Sequence, residues 1–350
     1  MTAKTDNGNF FEDFRIEQEI AHATPRTVTE GDVSLYTALY GTRFAVQSSD
    51  LFAMQIGLEA APIDDLLAFH IVFGKTVPDI SINAVANLGY ASGRFGQPVY
   101  PGDTLSARSR VIGLRENSNG TTGVVYVRSV GNNQNGQMVL DYVRWVMVNK
   151  RDPASAAPVA VVPQLPPAVG PVDLILPDGL DLGGYDTTLA GSRHRWHDYA
   201  VGEKIDHVAG TTLEEAEHMM ATRLYQNTAR VHFNQHTEKD GRFGRRLIYG
   251  GHIISVARAL SFNGLANAFK LVAINGGRHV APAFAGDTIY TWSEVLEKFD
   301  LPDRDDVGAL RLRTIACKDQ PCAAFPDRVA DGAYPPSVVL DFDYTVLMPK

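Results

Sequence analysis

Apolar and polar positions alternate between two spacings along the chain. Short runs rich in β-branched and aromatic residues occupy 104–115, 121–130 and 138–148, and again 288–299, 309–318 and 338–348. Such runs, bounded by turn residues, predict strands. GNNQNGQ at 131–137 separates two of them and predicts a hairpin. A wider spacing at 29–40 and 214–225 predicts helices. Acids stand at their starts, Glu30 and Asp32 in one, Glu214, Glu215 and Glu217 in the other, where the helix dipole favours them. Two more apolar helical segments are predicted near 66–77 and 251–264. HIISVARALSFNGLANAF, beginning at His252, has very few charges. A helix that apolar must be enclosed, and a curved antiparallel sheet is the simplest enclosure.

The pattern occurs twice. FEDFRIEQEIAHATPRTVTEGDVSLYTALY from Phe11 aligns without a gap to WHDYAVGEKIDHVAGTTLEEAEHMMATRLY from Trp196, matching Asp13 to Asp198 and Tyr40 to Tyr225. PVYPGDTL from Pro98 returns as PAFAGDTI from Pro282, and FHIVFGKTV from Phe69 is echoed by GHIISVARA from Gly251. Matched blocks in the same order indicate a tandem duplication, with domains at 11–150 and 176–350. Between them, the Pro- and Ala-rich stretch 151–175 reads as an extended linker.

Composition narrows the function. The 350 residues are 45% hydrophobic, enough for two cores, and carry a formal charge of −8. No global basic field for nucleic acid exists. No apolar run is long enough to span a membrane, and the start has no apolar leader-like stretch. Only Cys317 and Cys322 occur, which suits a reducing cytoplasm rather than a disulfide scaffold. A dinucleotide fingerprint, a Walker loop and a G-x-S-x-G elbow are all absent from the sequence.

PVYPGDTL, PAFAGDTI and the glycine-rich entry YGGHII at 249–254 together resemble the MaoC-like dehydratases, which include the R-specific enoyl-CoA hydratases. The resemblance covers both halves. GNFFEDFRIEQEIAHATPRTVTEGDVSLYTALYGTRFAVQSSDLFA resembles the mesaconyl-CoA hydratase branch of that family. It implies a tandem double hot-dog fold, each half an antiparallel sheet wrapped around a long helix. It also implies a hydro-lyase acting on a CoA thioester, without metal or other cofactor, in a homo-oligomer such as a dimer. The alternatives are a broader R-specific 3-hydroxyacyl-CoA dehydratase, an acyl-CoA thioesterase, or a non-catalytic acyl-CoA-binding protein, since fold does not fix function.

The family's hydration motif resembles S-G-D-x-N-P-x-H, whose Asp and His act as acid and base. YQNTARVH at 225–232 places Asn227 at the Asp and His232 at the His. The first half has YGTRFAVQ, with Thr42 and Gln47 there, so it is expected to be catalytically silent and to help form the acyl-CoA tunnel. Asn227 is expected to hold a water through its amide oxygen but not to take its proton. His232 is then the lone base of the pair, or a carboxylate elsewhere, Glu217 or Asp240, replaces the Asp; the plain alternative is a core histidine. Gly250 or Gly251 is expected to offer a helix-start N–H to the thioester oxygen, or only to make a turn. Arg230 is expected to grip a second carboxylate on the acyl group, or to form a surface ion pair. Arg245 and Arg246 are expected to meet CoA phosphates, or to lie on a solvated loop. A metal on His232 and His236 would need both on one helix and a third ligand that the sequence does not place.

Overall fold

The computed structural model describes residues 4–350. Five strands come from the first half: β1 Glu19–Thr27, β2 Ala84–Phe95, β3 Thr104–Glu116, β4 Thr122–Asn132 and β5 Met138–Asn149. The second supplies β6 Lys204–Thr212, β7 Lys270–His279, β8 Thr288–Asp300, β9 Val307–Lys318 and β10 Val338–Pro349. The helices are α1 Glu30–Tyr40, α2 Ala45–Ser48, α3 Asp50–Gln55, α4 Asp65–Thr76, α5 Glu215–Leu224, α6 Gln235–Glu238, α7 Gly250–Leu260 and α8 Phe262–Leu265.

All strands join one antiparallel sheet in the order β1-β3-β4-β5-β2-β7-β10-β9-β8-β6. The order within one half mirrors that of the other, and β2 pairs with β7 at the centre, Tyr90 opposite Gly277. The hairpin predicted at 131–137 joins β4 to β5. Helices α4 and α7 lie in the hollow of the sheet, and residues 66–76 of the first and 251–258 of the second are buried. This is the double hot-dog architecture. Each Leu- or Ile-sized side chain buried there contributes ~1.5–3 kcal/mol.

The duplication is visible atom by atom. His22 bonds Ser109 Oγ at 2.7 Å, and His207 bonds Ser293 Oγ at 2.8 Å. In the two Gly-Asp-Thr turns, Asp103 accepts from Tyr100 N and Asp287 from Phe284 N, both at 2.9 Å. The matched Tyr40 and Tyr225 meet hydroxyl to hydroxyl at 2.7 Å across the centre. Thr29 and Asp32 bond each other's backbone N–H and start α1, and Gly41 ends it at φ 61°.

One expectation changes. The helix expected over 251–264 stops at Leu260, because Asn263 and Gly264 leave helical geometry. There Asn263 exchanges bonds with β6, accepting from His207 Nδ1 at 2.6 Å and donating to the His207 carbonyl at 3.0 Å. The Pro- and Ala-rich linker is docked on both halves. Val161 exchanges backbone bonds with Leu114, and Val169 N–H donates to Asn275 Oδ1 at 2.9 Å.

Candidate active site

A cavity of about 440 Å³ opens between the halves, beside the start of α7. The first half lines it with Phe73, Tyr90, Asn87 and Arg144 among others, and the second with Asn227, His232, Gly250 and His279 among others. Among the described residues, no aspartate or glutamate lines it.

His232 ends a 3-10 turn, Arg230–His232, that follows α5. Its Nδ1 lies 2.9 Å from the Leu247 carbonyl. A carbonyl can only accept, so Nδ1 carries the proton and Nε2 the lone pair. Burial pushes the pKa of His232 down to about 4, against a smaller upward pull from that carbonyl. At neutral pH it is an unprotonated base on the cavity wall. Its ring lies 5.5 Å from that of Tyr249. His279, at the end of β7, is a second neutral imidazole, held near 4 by burial and by the neighbouring His232.

Asn227 corrects one expectation. Its Oδ1 accepts from Ala229 N at 3.0 Å, while its buried Nδ2 has no partner. The group it offers the cavity is an N–H donor, not the oxygen. The replacement carboxylates also fall away: Glu217 and Asp240 do not line the cavity.

The two glycines separate. Gly250 lines the cavity, and a Cβ there would lie 2.5 Å from the His279 ring. Gly251 is buried, and its Cβ would meet the rings of Tyr249 and His70. Helix geometry leaves the first N–H groups without intrahelical partners. That of Tyr249 is taken by His218 Nε2 at 2.8 Å. Gly250 is thus the donor candidate, whereas Gly251 serves packing.

Of the three arginines, Arg230 departs from its expected place. Arg230 is exposed and absent from the cavity wall. At three residues per turn, two positions turn it roughly 240° from His232, so only one of them can face inward. Arg246 pairs with Glu215 at 2.5 Å and bonds Met219 Sδ, away from the cavity. Arg245 is exposed and stacks 3.8 Å above the Phe284 ring. Arg242, on the same loop and unforeseen, does line the cavity. His232 and His236 do not share a helix, because α6 begins only at Gln235.

The family model for mesaconyl-CoA hydratase matches residues 1–328. The chain belongs to the mesaconyl-CoA hydratase family. It is 68% identical to a β-methylmalyl-CoA dehydratase of Chloroflexus aurantiacus, over all of this chain and 99% of that one. It is 61% identical to a mesaconyl-CoA hydratase of Cereibacter sphaeroides, over 99% and 100% of the two chains. A solved MaoC domain dehydratase from Chloroflexus aurantiacus superposes with a TM-score of 0.98 at 68% identity, covering 100% of this chain and 99% of that one. The family and the double hot-dog fold implied by the sequence resemblance are both borne out.

Besides Arg242, two functional candidates escaped the sequence reading of this hydratase family member, His279 and Arg144. His279 stands just before the repeated PAFAGDTI block, outside the motif that drew attention to His232. Arg144 sits inside a strand, in phase with the fully buried Tyr142, Val146 and Val148. A charged residue in register with an apolar face was the available signal.

Proposed function

We infer that the protein is a hydro-lyase that reversibly hydrates mesaconyl-CoA to β-methylmalyl-CoA. The family membership carries this reading, and the cavity has the parts the reaction needs. Water adds to the carbon β to the thioester, the same carbon that bears the free carboxylate. Charge develops on the thioester oxygen. His232 Nε2 takes a proton from the water, and the Gly250 N–H meets the developing oxyanion. The imidazolium then returns a proton to the α carbon, so protons balance over the cycle. The unpaired Asn227 Nδ2 is a donor for the attacking water's oxygen.

The CoA tail would leave past the Arg242 and Phe243 loop, which borders the cavity. A cytoplasmic setting is supported by two free cysteines, and among the described residues no helix is long and apolar enough to cross a membrane. A homodimer of the whole chain remains part of the proposal, testable by sedimentation.

The deciding experiment incubates the protein with mesaconyl-CoA and follows the enoyl-thioester absorbance and free thiol together. Loss of absorbance with the thioester intact is expected. Thiol release would point to a thioesterase, and no change to a binding protein; either overturns the reading.

A further inference from the structure

Arg144 is fully buried on β5 and lines the cavity. Its Nη2 bonds Thr76 Oγ1 at 2.8 Å and Ser81 Oγ at 3.3 Å, and its Nε has no partner. The guanidinium stacks 4.4 Å above the Phe73 ring. The ionisable groups facing it are the phenols of Tyr90, Tyr142 and Tyr249, and no carboxylate lines the cavity around it. A buried cation compensated only by hydroxyls and an aromatic face is costly, because desolvation is not repaid by a counter-charge.

A second buried arginine shows the usual solution. Arg258, on α7, faces Asp64 and Asp65, and bonds Ser261 Oγ and the Ala268 carbonyl. Carboxylates of the protein thus stand near Arg258. None is among the groups facing Arg144, and it is Arg144 that borders the cavity.

We propose that Arg144 is the specificity-determining residue, binding the free carboxylate of the acyl group within the cavity. This rests on the hydration reading above. A guanidinium offers a planar fork that takes both oxygens of a carboxylate, and here its Nε–H is already stripped of water and unpaired. The stack on Phe73 and the bonds to Thr76 and Ser81 fix the plane before substrate arrives, which lowers the ordering cost of binding. The free carboxylate of mesaconyl-CoA is attached to the carbon that water attacks. Holding it therefore positions that carbon, and neutralising it removes electron density that would oppose nucleophilic attack. Phe73 and Tyr249 lie 5.6 Å apart, and Tyr249 and His232 5.5 Å apart, so one aromatic chain links the anchor to the base. The half without a base thus supplies the recognition.

The test compares mesaconyl-CoA with (E)-2-methylcrotonyl-CoA, in which a methyl replaces the free carboxylate. Preference is read as kcat/KM, or as competitive inhibition where turnover of the analogue is slow. Wild-type hydration of mesaconyl-CoA is established first; its absence would fail the functional reading and not this one. Arg144→Gln should then lower the preference for mesaconyl-CoA by about 10²–10³-fold. Its melting temperature should stay near that of the wild type, because no internal ion pair is lost. An unchanged preference in folded Arg144→Gln overturns the proposal. If Arg144→Gln is not recovered folded, Arg144→Lys keeps the charge but loses the fork. A partial loss of preference then supports the anchor, and none overturns it.

Discussion

Helix α4 is capped by Asp64, whose carboxylate accepts from the Leu66 N–H at 2.8 Å, whereas α7 follows Tyr249, begins with Gly250 and Gly251 and has no side-chain cap. Each is the central helix of its half. In the first, a carboxylate of the chain itself occupies the place where an N-terminal anion binds. Burial and the adjacent Asp65 push the pKa of Asp64 up to about 6. In the second, no side chain caps the helix start, and its first residue, Gly250, lines the cavity. The same division recurs beside each helix. Gln47 Nε2 donates to the Phe269 carbonyl at 2.7 Å, as His232 donates to that of Leu247, but the amide has no basic nitrogen. In the first half an acid of the chain caps the helix and an amide stands where the second has His232, and its buried Arg144 faces the cavity shared with the other.

The sharpest way to break this comparison is to substitute the matched residues of the two halves, His232 and Gln47, in turn. His232→Gln keeps a hydrogen-bonding side chain but no base, and kcat should fall by ~10²–10⁴-fold. Gln47→Ala in folded protein should change the rate far less. Equal losses would show that the halves are not divided as described. The pH profile sharpens the same point. His232 must be neutral to act, and burial places its pKa near 4. The free-enzyme kcat/KM should therefore be flat from about pH 8 down to the usual histidine range, falling only as pH drops towards 4. Stability should fall in the same direction. His207, His232, His252 and His279 all have folded pKa values lowered to about 4. The unfolded chain then binds more protons below about pH 6.5, and the stabilisation present above that value is lost as pH falls towards 4. An acid limb near 6.5 in protein that stays folded would remove His232 as the titrating base.

A smaller effect is expected at the open helix start. Gly250→Ala puts a Cβ where it would lie 2.5 Å from the His279 ring, so the ring or the helix start must shift. Misplacing a single oxyanion donor is worth up to ~10²–10³ in rate, and a partial shift should cost about tenfold or more in kcat with a smaller change in KM. Unaltered kcat would show that the Gly250 N–H does not meet the thioester oxygen.

The duplication was legible because its marks are local: paired turns, capping residues and strands bounded by glycine and asparagine. The hairpin at 131–137 needed only those letters. The motif also led to His232 and Asn227, and both line one cavity. The first failure was one of direction. Arg230 stands two residues from His232, and proximity along the chain suggested proximity in space, but a 3-10 turn sends the two side chains apart. The second was one of distance. Arg144 reaches the cavity only because β5 is brought beside α4 and both halves close over it, a juxtaposition that no local spacing carries.

The smallest effect concerns the residue that the motif put forward. Arg230 is exposed and does not line the cavity, so it forms no part of its wall. Arg230→Leu removes a solvated charge, and such substitutions usually change stability by no more than ~0.5 kcal/mol. The ratio of kcat/KM for mesaconyl-CoA to that for (E)-2-methylcrotonyl-CoA should stay within about twofold of wild type. That follows because ~0.4 kcal/mol of differential binding corresponds to a factor of two, and an exposed side chain off the cavity wall has no contact through which to supply more. Some loss of both rates together is compatible with this, since a long-range field from a positive charge acts on any CoA thioester and weakens with added salt. A selective loss of mesaconyl-CoA is not, because selectivity requires the guanidinium to touch the one group by which the two substrates differ. Such a loss would move the carboxylate anchor back to the second half and leave Arg144 as a structural charge.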